Sequence, residues 1–281
     1  MFVRMDLCST TLILNHLSIH YNSSEKESMN EKPKIAIFKF TGCAGCQLEF
    51  LHLEEIFLDL LELFDISYWV MVKRDNDETE WDISLVEGGI STPEEIEEIK
   101  QIRMKTKFLV AFGDCAIGGC IPSIRNWVPQ LDAESQVYRD TSVIQSTKVF
   151  GVGEYVKVDA ILKGCPAHRD TIVELLKSAL LEIRPRLRQH PVCVECKFRD
   201  NVCLITSKKM ACMGPVTSAG CGAICPSLGR ECEGCFGPMS DPNASALASI
   251  FKDLGFNEKD IKRKFRKYAG MSPEFRKEAG H

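Results

Sequence analysis

A strand, a two-cysteine turn and a helix follow one another without a break at residues 35–64. The run Ile35-Ala-Ile-Phe-Lys-Phe40 is apolar and rich in strand formers. The turn Thr41-Gly-Cys-Ala-Gly-Cys-Gln47 comes next, and an apolar-periodic segment runs from Leu48 to Phe64. Cys43 and Cys46 are thereby fixed on a strand-to-helix turn. Two later cysteines, Cys115 and Cys165, each follow a predicted strand of their own. In open parallel sheets, ligands sit beyond the carboxyl ends of the strands, where strand order reverses. The pattern therefore predicts that these four thiols converge on one iron–sulfur cluster.

The remaining elements agree with such a sheet. Residues 34–40 read as a buried strand and Glu49–Phe64 as a helix, with Phe50, Leu53, Phe57, Leu60, Leu61 and Phe64 on one face. Further strands are predicted at Ile66–Val72, Asp82–Glu87, Lys107–Phe112 and Val156–Leu162. Ser91-Thr-Pro-Glu-Glu95 is a helix start, with hydroxyl caps, an early proline and carboxylates in the first turn. That helix runs to about Met104. Residues 116–155 read as irregular, and Arg169–Arg184 as a helix stopped by Pro185. Strand–helix alternation with buried-type strands gives an α/β fold, a doubly wound parallel sheet covered on both faces.

Composition changes after Pro185. Of fourteen cysteines, eight fall between Cys193 and Cys235, in a stretch with few apolar runs. Such a segment needs staples, and metal ligation is the natural one. The expected organisation is an N-terminal extension at 1–32, a cluster-bearing α/β domain at 33–185, a Cys-rich domain at 186–240 and a helical tail at 241–281. The extension, with its short run Thr10–Leu14, reads as poorly ordered or as an early start codon, and no secretory signal is apparent. The tail should carry helices at Ser245–Leu254 and Lys259–Tyr268.

Twelve of the cysteines form three sets of four, the ligand number of a cubane cluster. The first is Cys43, Cys46, Cys115 and Cys165. Sequential grouping of the rest gives Cys193, Cys196, Cys203 and Cys212, then Cys221, Cys225, Cys232 and Cys235. The Cys225-Pro226 pair echoes bacterial ferredoxins, where such a cysteine serves a second cluster, so exchange of Cys212 or Cys225 between sets stays open. Zinc is the competing metal, since Cys193/Cys196 with Cys232/Cys235 loosely fits a zinc ribbon. A lone CxxC is also compatible with a redox dithiol. Cys120 reads as a small buried thiol, with ligand substitution as the alternative, and Cys8 as incidental. His168 and His190 lie near cluster cysteines and have the chemistry to ligate iron, but twelve thiols already make three quartets, so supporting or exposed roles are expected for them. The basic run Lys262–Lys267 reads as a solvated helix face, with a docking patch for an acidic partner as the alternative.

Other chemistries are missing from the chain. It has no phosphate-binding GxxxxGK[ST] loop, no GxGxxG after a strand and no Ser/His/Asp set. The net charge of −4 gives no argument for nucleic acid, and no apolar run is long enough to cross a membrane. Several one-electron cofactors without substrate chemistry describe an electron conduit.

These motifs also resemble a family. The TGCAGCQLEF turn, the Gly-Asp-Cys-Ala element at 113–116 with Gly118-Gly119, and Gly164-Cys165-Pro166 resemble the proximal-cluster motif of nickel–iron hydrogenase small subunits. An altered form marks the related cluster subunit of respiratory complex I, which carries adjacent cysteines in the turn. The Cys193–Cys235 segment resembles the C-terminal half of cytosolic group 3 small subunits, nearest the sulfhydrogenase delta type (group 3b, NAD(P)-linked).

The resemblance implies a flavodoxin-like domain followed by a ferredoxin-like cluster domain, holding three 4Fe–4S clusters. Cys43, Cys46, Cys115 and Cys165 would hold the proximal cluster and the other eight the medial and distal ones. The partners would be a nickel–iron large subunit, a further iron–sulfur subunit and a flavin subunit that reduces NAD(P), all cytoplasmic, with sulfur reduction as a side activity. A group feeding heterodisulfide reductase or another non-nucleotide acceptor is the alternative, and a zinc-stabilised interaction protein is the reading from a different class. Membrane-bound relatives carry a Glu two residues after the second turn cysteine. Here Leu48 holds that place and Glu49 follows, so a proton-relay role for Glu49 is an expectation on a shifted position.

Overall fold

The chain's computed structural model describes residues 32–280. The expectations for the extension and for Cys8 lie outside the described residues.

A five-stranded sheet, entirely parallel, has the order β2-β1-β3-β4-β5. Its strands are β1 (Lys34–Lys39), β2 (Asp65–Trp69), β3 (Trp81–Glu87), β4 (Thr106–Phe112) and β5 (Ala160–Leu162). This is the flavodoxin-like order, with its switch point between β1 and β3. β3 is buried along nearly its whole length, as a strand covered on both faces must be.

Two helices, α1 (Gly45–Leu51) and α2 (Glu54–Leu63), connect β1 to β2. The single helix expected at Glu49–Phe64 is broken at His52-Leu53. The reason is that the break preserves the apolar face. Phe50, Leu53, Leu60 and Phe64 are all buried in one core, so hydrophobic spacing carries no mark of the interruption. Leu61, expected on that face, is exposed. The helix α3 (Pro93–Lys105) starts as expected. Thr92 Oγ1 accepts the Glu95 amide at 3.1 Å, and the Glu95 carboxylate accepts the Thr92 amide at 3.2 Å.

Residues 116–155, read as irregular, contain short elements. These are the end of α4 (Asp114–Gly118), a 3-10 segment at Ile121–Trp127, α5 (Gln130–Ser135) and a 3-10 turn at Val152–Glu154. None is long enough to show a period. The fifth strand is shorter than expected, because Asp159 closes the ladder. Its backbone N–H donates to Leu109 O, and its carboxylate accepts the Leu109 amide, both at 2.9 Å. The helix α6 (Arg169–Leu180) ends before Pro185, where Glu182 takes a positive φ of 52° and the chain folds back.

The Cys-rich stretch holds three short helices, α7 (Val192–Phe198), α8 (Leu204–Lys208) and α9 (Ile224–Ser227). The tail adds α10 (Ala244–Asp253), α11 (Glu258–Ala269) and α12 (Pro273–Ala279). The last was not expected, although Ser272-Pro273-Glu274 is a start signal. The apolar surface that residues 190–240 lack comes from this tail. Val192, Met213 and Val216 share one core with Leu247, Phe251, Ile261, Phe265 and Phe275. The tail also reaches the sheet half: the Arg266 guanidinium lies 4.2 Å from the Trp127 ring centroid, and Arg276 pairs with Glu154. No helix among the described residues is long and apolar enough to cross a membrane.

Candidate metal centre

Beyond the sheet, β1 and β3 remain clamped together. Thr41 and Gly89 exchange backbone hydrogen bonds at 3.1 and 2.8 Å, and Phe40 N donates to Glu87 O at 2.7 Å. Gly88 lies between them with φ +102°, and a Cβ there would stand 2.6 Å from Phe40 C. The clamp fixes where the 42–46 turn starts. Ala44 then takes a left-handed φ of 65°, which turns the chain into α1.

The four expected cysteines meet at this end of the sheet. Ala167 N donates to Cys46 Sγ at 3.5 Å, bringing the loop after β5 onto the turn after β1. A Cβ on Gly113 would lie 2.2 Å from Cys46 Sγ, and one on Gly42 would lie 4.0 Å from Cys115 Sγ. A Cβ on Gly45 would lie 3.2 Å from Cys43 Sγ and 3.7 Å from Pro166. Burial, and then Glu87, Cys115 and Cys165, push the Cys46 thiol well above its ordinary value, against a lowering bond from Ala167.

Sequence reasoning left three residues outside this site. The Cys120 thiol is fully buried and within hydrogen-bonding reach of both Cys115 and Cys165. It brings Cys165 down to about 7, against the opposing effect of burial. Glu87, taken only as a strand end, is buried and accepts the Cys46 amide at 3.1 Å, while its Oε2 has no partner. Asp114 is also buried. It accepts the Gly164 amide at 3.0 Å, and burial pushes it up to about 7. A carboxylate at or just past a strand end is the signal that both acids share.

The eight later cysteines stand in two connected groups. Burial, with Cys212, Cys196 and Cys203 adding to it, pushes Cys193 up to about 11. A Cβ on Gly214 would lie 3.4 Å from Cys212 Sγ and 3.5 Å from Cys193 Sγ. Cys235 is pushed up to about 12 by burial, then by Asp114, Cys221, Cys165 and Cys225. Cys232 joins the groups, since its amide donates to Cys212 Sγ at 3.2 Å and its thiol feels both Cys212 and Cys235. Cys235 faces the first group, with Tyr268 beside it. That phenol is pushed up to about 12 by burial and by Cys235, Cys165 and Cys120.

The remaining candidates lie apart. Glu49 sits on α1, 3.8 Å from His52 Nδ1. His168 caps α6, its Nδ1 accepting the Asp170 amide at 3.3 Å, and His190 is exposed. The basic run on α11 is spent on internal pairs. Lys264 reaches Glu231 and Glu233 at 3.1 and 3.2 Å, Lys267 reaches Glu233 at 3.0 Å, and Lys262 reaches Glu258 at 2.6 Å.

The donor set fits iron–sulfur clusters. Burial makes Cys46, Cys193, Cys212, Cys221, Cys232 and Cys235 resist ionisation singly, and a bound multi-iron group would compensate their charge. Glycines stand where a side chain would fill the space between sulfurs, at Gly113 and Gly214. Among the described residues, no set of three or more His, Cys, Asp or Glu is gathered as a site for one metal ion.

Comparison with known proteins agrees with this chemistry. Residues 43–179 match the family described as NADH ubiquinone oxidoreductase, 20 Kd subunit. That span includes the first four cysteines and stops before Cys193. The chain is 31% identical to Sulfhydrogenase 2 subunit delta of Pyrococcus furiosus, over 84% of this chain and 99% of that protein. It is 30% identical to a subunit of the F420-non-reducing hydrogenase of Methanothermobacter marburgensis, over 82% of this chain and 87% of that one. Among solved structures, a chain of an NAD+-reducing [NiFe]-hydrogenase in the H2-reduced state superposes with a TM-score of 0.51 at 29% identity. The superposition covers 56% of this chain and 96% of that one.

Proposed function

The chain belongs to the family of nickel–iron hydrogenase small subunits, and from that premise we propose that it is an electron-transfer subunit with three 4Fe–4S clusters. It would stand in the cytoplasm between a nickel–iron large subunit and an iron–sulfur and flavin module that exchanges electrons with NAD(P). The observation that carries this reading is the meeting of Cys43, Cys46, Cys115 and Cys165 at the sheet's switch point, with Cys235 of the later eight turned toward them.

Cys43, Cys46, Cys115 and Cys165 would hold the proximal cluster. Cys221, Cys225, Cys232 and Cys235 would hold the medial one, supported by the closeness of Cys235 to Cys165 and Asp114. Cys193, Cys196, Cys203 and Cys212 would hold the distal one, next to the medial set through Cys232 and Cys212. Each cluster, when bound, takes up and releases one electron at a time. The chain's own groups set the conditions for that. The amides of Gly45, Ala167 and Cys232 donate to cysteine sulfurs at 3.3, 3.5 and 3.2 Å, which favours added negative charge. Asn201 Nδ2 reaches Cys196 Sγ at 3.6 Å and supplies the same support at the far end. Burial of Cys46, Cys212 and Cys232 keeps water away.

Anaerobic purification tests the reading directly. About twelve irons per chain are expected, four for each set of thiolates, with a nickel-containing large subunit in the same complex. One or two zinc ions with little iron would instead support the interaction-protein reading. The likeness to a chain of an F420-non-reducing hydrogenase keeps a second acceptor in view, heterodisulfide reductase or another non-nucleotide acceptor. A flavin subunit that reduces NAD(P) in the purified complex decides for the first acceptor.

A further inference from the structure

The loop that follows Cys235 is pressed against the end of the sheet. Phe236, next to that cysteine, is buried, and its ring lies between two glycines. A Cβ on Gly164 would stand 3.1 Å from Phe236 Cζ, and one on Gly220 would stand 2.6 Å from Phe236 Cε1. Gly164 precedes Cys165, and Gly220 precedes Cys221. One ring therefore lies against the backbone beside a thiol of the first group and beside two thiols of the later ones. Gly237, the next residue, accepts the Ser218 amide at 3.0 Å, and a Cβ on it would lie 3.4 Å from Asp114 Oδ2.

Polar groups hold this contact from the sheet side. Gly164 N donates to Asp114 Oδ1 and Asp114 N donates to Gly164 O, both at 3.0 Å. These two bonds tie the loop of Cys115 to the loop of Cys165. Lys163 is half-buried, and its ammonium donates across the seam to Pro238 O, three residues after Cys235. Pro238 is itself buried, and a hydrogen bond from a charged donor to a carbonyl in such a place is a strong one. The seam is also where the two groups of thiols face each other. Burial, and then Asp114, Cys221 and Cys165, raise the Cys235 thiol.

We propose that Phe236 and Lys163 are positioning residues that set the separation between the cluster of Cys43, Cys46, Cys115 and Cys165 and the cluster that includes Cys235. Phe236 is the spacer, since a rigid ring in a close-packed seam holds its two walls apart. Lys163 is the strap, since it reaches Pro238 O from a place two residues before Cys165. In the step they serve, one electron leaves one cluster, which is oxidised, and enters the other, which is reduced. No bond is made or broken, so separation is what these two side chains control. The inference rests on the assignment of the twelve thiols as cluster ligands, and neither residue is one of them.

Electron paramagnetic resonance of the fully reduced, anaerobically purified complex tests the proposal. Two reduced clusters that stand close split and broaden each other's spectra, and the effect falls steeply with separation. The parent should show that coupling. Phe236→Trp puts a larger ring in the same gap and should weaken it. Lys163→Met keeps a long stem, removes the donor to Pro238 O and should weaken it too, whereas Lys163→Arg should restore it. Phe251→Leu, in the tail core on α10, should lower the urea midpoint and leave the coupling as in the parent. Unchanged coupling in Phe236→Trp or in Lys163→Met would overturn that residue's role, and equal loss in Phe251→Leu would overturn both. If Phe236→Trp fails to fold, Lys163→Met and Lys163→Arg still decide. Iron in the same preparations separates the two ideas. About twelve irons per chain with unchanged coupling sinks the spacer and the strap alone. Little iron in the parent sinks the cluster assignment, and the positioning with it.

Discussion

The space where a Cβ of residue 113 would stand is taken by Cys46, whose Sγ lies 2.2 Å from it. Gly113 also has φ +82°, which side-chain-bearing residues rarely adopt. The two facts make Gly113 a condition of the place that Cys46 occupies, and so of the proximal cluster proposed there. Gly113→Ala should cost the chain about four of about twelve irons, because the Cys46 side chain must move. Gly255 is the control, with φ +92° and nothing within 4 Å. Gly255→Ala should cost only backbone strain, about 1 kcal/mol, and no iron. Iron and sulfide analysis of both variants gives the answer, and equal iron contents would remove Gly113 from the site.

Cys115 and Cys120 lie side by side but should behave differently. Cys115→Ser should lose proximal iron and most hydrogen-dependent reduction of the acceptor. Cys120→Ala should keep its iron, since Cys120 reaches the site through Cys115 and Cys165 and not in place of them. Removing a thiol whose one S–H stands within reach of two sulfurs leaves added negative charge less supported, so the potential of the cluster proposed there should fall. Redox titration followed by electron paramagnetic resonance reads that shift. Equal loss of iron in both variants would mean that Cys120 is a ligand.

The strand ends and the meeting of Cys43, Cys46, Cys115 and Cys165 beyond them were legible in the sequence because each rests on a local pattern. A buried strand must be a short apolar run, and a ligand at a switch point must follow one. The break between α1 and α2 was not legible, because Leu53 fills the same apolar face that a continuous helix would present. Glu87 was readable as a strand end but not as the acceptor of the Cys46 amide, which depends on how β3 is registered against β1. The basic run of α11 has the composition of a docking patch. Its partners, Glu231 and Glu233, come from a segment about thirty residues away, so only the fold reveals the pairing. Which of the eight later cysteines lie side by side needed the same long-range information, as in the Cys232 amide that donates to Cys212 Sγ from twenty residues away.

Arg266 joins the tail to the sheet half. Its guanidinium lies 4.2 Å from the Trp127 ring centroid, and its Nε donates to Ala279 O at 2.7 Å. A partly buried cation–π contact and one hydrogen bond together contribute about 1–3 kcal/mol. Arg266→Ala should lower stability by that amount and raise the mobility of α12, whose last turn loses its donor. Urea unfolding, with hydrogen exchange on residues 273–279, measures both. Unchanged protection of α12 would show that its packing against Phe265 suffices, the two rings of Phe265 and Phe275 being 5.3 Å apart.

Asp159 should give the sheet an acid-sensitive joint. Burial raises its pKa, but the Leu109 amide and the Arg103 guanidinium more than offset this, and the carboxyl is held below its ordinary value. A carboxyl depressed in the folded state stabilises it fully above the unfolded pKa, about 4. That contribution fades as pH falls from there through the lower folded value. Asp159→Asn removes the charge, so its cost should be largest at neutral pH and should shrink as the pH drops toward the folded pKa. The expected result is a clear gap in urea midpoint between parent and variant at pH 7, and a narrower one at about pH 3. Cluster loss in acid lowers both midpoints, but only the parent has the Asp159 charge to lose. A gap that stays constant across that range would place the stabilisation in the neutral hydrogen bonds around residue 159, and not in the ion pair with Arg103.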